Sequence, residues 1–245
     1  MKQSQRGFTL VEIAIVLVII GLLLGGILKG QELINSARVR NIADTNSGVQ
    51  AAYFGFIDRY RRVPGDMSQA DATTAIGQAI NSGGNNNGRL DAFPAAGANE
   101  WQEPAALWEH LWKAGFIAGS YDGVAAGAAP TDAATYRTSG SPSNPFSGAM
   151  ILARTADYLD AGAGASTRLN LVLGRGIPVN IARELDLKVD DGRPLTGIAR
   201  LTVAAGATFA DIGEYGNAPD CRAAAPANDY DITNDAQDCN LAYLY

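Results

Sequence analysis

The sequence has one histidine, His110, and two cysteines, Cys221 and Cys239, among its 245 residues. A single histidine excludes a histidine-rich metal centre, and no serine or cysteine stands near it in a nucleophile motif. No proline occurs ahead of Pro64, so no ring interrupts a helix before that point. Between Glu12 and Lys29 there is no charged residue. The net charge is −6, and an acidic chain does not attract nucleic acid at long range; DNA binding would need a local basic patch.

What the sequence does have begins at Gly7: GFTLVEIAIVLVIIGLLLGGIL, an apolar run that carries one carboxylate, Glu12. Two positive residues, Lys2 and Arg6, precede it. The 21 residues from Phe8 to Leu28 would span about 31 Å as a helix, close to the roughly 30 Å hydrocarbon core of a bilayer. An ordinary signal peptide has a shorter apolar region and a small-residue cleavage site beyond it. Here Gly25-Gly26 leads straight into KGQELINSARVRN, so the run is expected to stay as an anchor. Lys2 and Arg6 hold their side in the cytoplasm and send the rest outward. A carboxylate within hydrocarbon costs on the order of 3 kcal/mol unless it reaches the interface or finds a positive partner.

The residues Gly7-Phe8-Thr9-Leu10-Val11-Glu12, followed by this helix, resemble the cleavage and methylation signature of type IV prepilins and the pseudopilins of type II secretion. The resemblance implies that a membrane peptidase cuts between Gly7 and Phe8 and methylates the new amine. It also implies that Glu12, then the fifth residue, pairs with the terminal amine of a neighbouring subunit. It further implies an α+β fold, with a long N-terminal helix on an antiparallel sheet, and a role in assembly rather than catalysis. The expected division is a leader over 1–7, a transmembrane or filament-core helix over 8–30, an amphipathic continuation over 31–62 and an extracytoplasmic head over 63–245. Loss of the leader with Lys2 and Arg6 changes the net charge to −8.

The expected partners are copies of the chain or other pilins, the prepilin peptidase, an inner-membrane assembly platform and, before assembly, lipid; nucleic acid is not among them. The expected location is the inner membrane with the head in the periplasm, then an extracellular or periplasmic filament. A type IV pilus subunit, major or minor, is the leading reading. A secretion pseudopilin shares the same N terminus, and an anchored surface binding protein is the third reading.

Beyond the anchor, Val39, Ile42, Asn46, Val49, Tyr53, Phe56 and Tyr60 recur at spacings of three and four, which places them on one helical face. One helix from about Thr9 to Arg62, roughly 80 Å long, is expected. Many members of the family bend this helix at a proline; this chain offers only Gly21, Gly25, Gly26 and Gly30 as weak points. Arg59, Arg61 and Arg62 ahead of Pro64-Gly65 read as a helix C-terminus.

Ser68 to Ile80 reads as a short helix, followed by NSGGNNNGRLD over 81–91. Its oxygen side chains alternate as in a calcium loop: Asn85 and Asn87 could donate carbonyls, with Asp91 and Glu100 or Asp66 supplying charge. No acidic residue opens the loop, and a solvated turn is the simpler reading. Glu103 to Ile117 reads as an amphipathic helix with Leu107, Trp108, Leu111 and Trp112 inward and His110 exposed on the other side. Residues 119–145 read as a long surface loop. Strands are expected at Ala149–Ala153, Arg168–Leu173 and Gly197–Ala204, with a helix over Pro178–Leu187. Asp190 and Asp191 ahead of Gly192 read as turn chemistry, not as a catalytic dyad. The segments LWEHLWKAGFI and ARELDLKVDDGRPLTG also resemble stretches of large pilin-type proteins with this N terminus and a two-cysteine C-terminal region. In an oxidising compartment Cys221 and Cys239 are expected to form a disulfide, as pilin-like chains often do; free thiols or a metal site are the alternatives. No cofactor is expected apart from the calcium candidate.

Overall fold

The computed structural model describes residues 9–92, 101–122, 136, 140–162, 164–202, 221–224 and 227–245. The chain divides into two compact units, Met1–Arg40 and Asn41–Tyr245. Helix α1, Leu10–Tyr60, contributes to both.

In the first unit the helix exposes its apolar side chains: Leu10, Leu17, Leu22 and Leu28 are all more than 60% accessible. Among the described residues, α1 is the one helix long and apolar enough to cross a membrane. Among the described residues, nothing lies within 4 Å of where a Cβ on Gly21, Gly25, Gly26 or Gly30 would sit, so none of those residues requires glycine there.

In the second unit the outer part of α1 turns one stripe inward, and Ile42, Val49, Ala52, Tyr53 and Phe56 are buried. The predicted three-and-four spacing is thus the observed core face of this part. The helix ends two residues earlier than expected because Arg61 takes the left-handed conformation, φ 54°. Helix α2, Gln69–Ile76, starts at Ser68, whose hydroxyl accepts the Asp71 N–H at 3.2 Å, and closes on Gly77 at φ 78°. Helix α3, Gln102–Lys113, and helix α4, Val179–Val189, complete the helical set among the described residues.

The sheet has four strands: β1 Ile151–Thr155, β2 Arg168–Val172, β3 Ala199–Leu201 and β4 Leu241–Leu244. Their order is β1-β2-β4-β3 and every pair is antiparallel. The first three lie where the apolar segments predicted strands, with β3 shorter than expected. The fourth, LAYL, was not expected, yet it occupies an inner position and is buried along its whole length. Just past it, the Tyr245 hydroxyl donates to the Asn46 side-chain oxygen on α1 at 2.6 Å, tying the sheet to the helix. Phe56 of α1 meets Phe116 at 5.9 Å between ring centres. The α+β layout implied by the resemblance is the one observed.

Cys221 and Cys239 form a disulfide across 18 residues. Cys239 lies just ahead of β4 and pairs with Ile177 through backbone hydrogen bonds, so the crosslink secures the entry to that strand.

Candidate functional site

The described residues begin with Thr9, just ahead of α1, and Gly7 and Phe8 lie outside them. Thr9 and Glu12 form a capping box. The Glu12 carboxylate Oε2 accepts the Thr9 N–H at 2.8 Å and the Thr9 hydroxyl at 2.9 Å, while the Glu12 N–H donates to Thr9 Oγ1 at 3.3 Å. Glu12 therefore satisfies donors at the positive end of the helix dipole. The signal was in the sequence: Thr-x-x-Glu directly before an apolar run. All the large apolar side chains from Leu10 to Leu28 that flank this carboxylate are exposed, which leaves a continuous surface for lipid or for other apolar helices.

The head is organised by polar residues of α3. His110, expected on the exposed side, is fully buried. Its Nδ1 accepts the Gly65 N–H at 2.9 Å and its Nε2 faces the Ser82 carbonyl at 3.2 Å, which sets the neutral tautomer with the proton on Nε2. Burial pushes its pKa down to about 4. Glu109, also fully buried, accepts the Asn81 and Ser82 N–H groups at 2.8 and 2.9 Å and pairs with Lys113 at 2.7 Å. Glu103 accepts the Asp91 N–H at 2.6 Å, and burial raises its carboxyl to about 7. The expectation for His110 failed because the helix is buried nearly all round: its polar side chains meet backbone groups of residues 64–91, not water. Trp108 belongs to the core, as expected, and its indole donates to the Tyr136 hydroxyl at 2.7 Å.

Asn85, Asn87 and Asp91 do come together. The Asn85 and Asn87 side-chain amides donate to the two Asp91 oxygens at 2.6 and 2.7 Å. Asp66 sits beneath the loop and accepts the Asn87 and Gly88 N–H groups, each at 2.8 Å. Gly83 and Gly84 cross directly over the chain at 65–69: a Cβ on Gly84 would lie 2.5 Å from the Gly65 carbonyl oxygen. The Asn85 and Asn87 side-chain oxygens accept the N–H groups of Asn87 and Arg89, both at 3.1 Å, as Asx turns do.

Asp190 and Asp191 act in a turn, as read from the sequence. Asp190 folds back to accept the Ile198 and Ala199 N–H groups, and Gly197, at φ 73°, leaves room for it, since a Cβ there would overlap the carboxylate. Asp191 accepts the Arg193 N–H at 2.9 Å and the Thr196 hydroxyl at 2.6 Å. Sequence reading passed over Asp186, which is buried and accepts the Tyr230 hydroxyl at 2.8 Å.

Compared with known proteins, residues 2–28 match the family model of the prokaryotic N-terminal methylation motif. No curated protein matches the chain, and no solved structure does. The chain therefore carries, at its N terminus, the signature of type IV pilins and pseudopilins.

Proposed function

We propose that this chain is a structural subunit, major or minor, of a type IV pilus-like filament, processed after Gly7 and assembled through its N-terminal helix. The observation that carries the reading is the methylation motif over residues 2–28, continuous with a helix whose apolar side chains are exposed. The signature implies processing by a prepilin peptidase and assembly with other pilins. The precursor waits in the inner membrane with its head in the periplasm, loses its leader, and exchanges lipid contacts for contacts with neighbouring helices. The new amine on Phe8 and the carboxylate of Glu12 on an adjacent subunit then set the height at which subunits dock. A charge left unpaired in that core is costly, which disfavours a misplaced subunit. Calcium on Asn85, Asn87 and Asp91 would first have to displace the amide hydrogen bonds that Asp91 accepts.

Intact mass of the mature protein tests the processing step: a start at Phe8 with one added methyl group is expected, and an intact leader would reject the reading. Gly7→Ala is expected to block or slow leader removal. Glu12→Ala is expected to be processed but poorly incorporated. A pseudopilin of a type II secretion machine shares all of these features; recovery of the chain in shed surface fibres favours the pilus.

A further inference from the structure

Within the loop over 81–91, Asn87 is followed by Gly88, and it is the one asparagine in the chain followed by glycine. Asparagine is among the chemically labile residues. The amide nitrogen of the next residue can attack its side-chain carbonyl carbon and close a five-membered imide ring. Glycine in that next position has no Cβ to shield the nitrogen.

The folded loop holds every group that this reaction needs. The Gly88 N–H donates to Asp66 Oδ2 at 2.8 Å, so a carboxylate sits on the proton that the attacking nitrogen must lose. Asn87 Nδ2 donates to Asp91 Oδ1 at 2.7 Å; an ionised carboxylate only accepts, so this bond fixes which way the carboxamide faces. Asn87 Oδ1 accepts the Arg89 N–H at 3.1 Å. The ring closed by that bond contains both Asn87 Cγ and the Gly88 nitrogen, which keeps the two reacting atoms folded towards one another. The same N–H points at the oxygen on which negative charge develops during attack. Asp66 is 2% exposed and also grips the Asn87 N–H, at 2.8 Å, so the base is anchored beneath the loop. Asn87 and Gly88 themselves are exposed, which lets ammonia leave and water enter.

We propose that Asn87-Gly88 is a self-modification site, at which Asp66 acts as base and the Arg89 N–H as oxyanion donor while Asn87 loses ammonia. The Gly88 nitrogen bonds to Asn87 Cγ as its proton passes to Asp66 Oδ2, and the carbonyl electron pair moves onto Oδ1. That pair then returns, the Cγ–Nδ2 bond breaks, and Nδ2 leaves as ammonia with the proton that Asp66 took up, relayed by water. Water adds to either carbonyl of the imide and opens the ring, which leaves aspartate or isoaspartate at position 87. Nothing is oxidised or reduced, and water is the only co-reactant.

The product undoes the arrangement that made it. A carboxylate at position 87 cannot donate to Asp91 as the Asn87 amide does, and it sets like charge against Asp91. Isoaspartate also lengthens the main chain between the two N–H groups that Asp66 holds. The loop over 81–91 therefore loosens in molecules that have reacted, and each molecule carries a record of its age.

The test is incubation of the full chain in detergent micelles at neutral pH, with peptide mapping by mass spectrometry to follow imide, aspartate and isoaspartate at position 87. The same chain unfolded in guanidinium chloride gives the rate set by the Asn-Gly sequence alone. The folded wild type is expected to react faster than the unfolded chain. Asp66→Asn is expected to slow the folded reaction roughly tenfold or more and to leave the unfolded rate unchanged. A folded wild type that reacts no faster than the unfolded chain would overturn the proposal, because the loop would then protect Asn87. So would an Asp66→Asn chain with the circular dichroism of the wild type that reacts at the wild-type rate. If that variant does not fold, the comparison of folded and unfolded wild type decides.

Discussion

Glu12 reaches back across the first turn of α1 to Thr9, with one carboxylate oxygen accepting both the backbone N–H and the hydroxyl. The same side chain thus has two possible uses, as a helix cap and as a charge for a neighbouring subunit, and they can be separated. Glutamine at this position also completes a capping box but carries no charge. Glu12→Gln is therefore expected to keep the helix content of the precursor, measured by circular dichroism, and to incorporate into filaments as poorly as Glu12→Ala. Normal incorporation alongside wild-type subunits would show that capping alone is what matters.

His110 makes the head sensitive to acid. Its folded pKa, about 4, lies below its ordinary value of 6.5. Between those values the unfolded chain binds the proton and the folded chain does not, so this stabilisation is complete above pH 6.5 and is lost as pH falls towards 4. Glu103 runs the opposite way: with its carboxyl raised to about 7, its contribution is present at low pH and is lost as pH rises through 7. Comparison with His110→Gln isolates the first effect. The stability gap between wild type and variant, from urea unfolding, is expected to narrow by about 3 kcal/mol from pH 7 to pH 4.

Gly84→Ala would push a Cβ against the Gly65 carbonyl oxygen and the Asp66 backbone. The neighbours are main chain and cannot swing aside, so a loss of about 2 kcal/mol or more is expected. Gly88→Ala, where a Cβ meets nothing within 4 Å but φ is 91°, is expected to cost less. Thermal unfolding of the two variants side by side checks the order.

Reduction of Cys221–Cys239 is expected to lower stability by about 3 kcal/mol, the chain-entropy value for a loop of this size. The expected sign is a lower unfolding midpoint with a thiol reductant than without it.

The sequence was most readable where a side chain's neighbours are themselves local. The apolar run, the stripe from Ile42 to Phe56 and the Ser68 start of α2 follow from spacing and capping alone. Strand β4 escaped notice because four apolar residues have too little alternation to show a period, and their inner place in the sheet comes from pairing with residues about 40 and 70 positions away. His110 was misplaced for a related reason. Helical spacing shows which side of α3 is polar, but not that residues 64 to 82 fold over that side and bring donors and acceptors to it.

The inner place of β4 also orders events in time. Residues 151–172 can form a hairpin as soon as they are made, but β3 has no sheet to join until Leu241–Leu244 lies between it and β2. While the chain beyond residue 202 is still being made, β3 has no partner strand in the sheet. The sheet can therefore be completed only once nearly the whole chain has been synthesised.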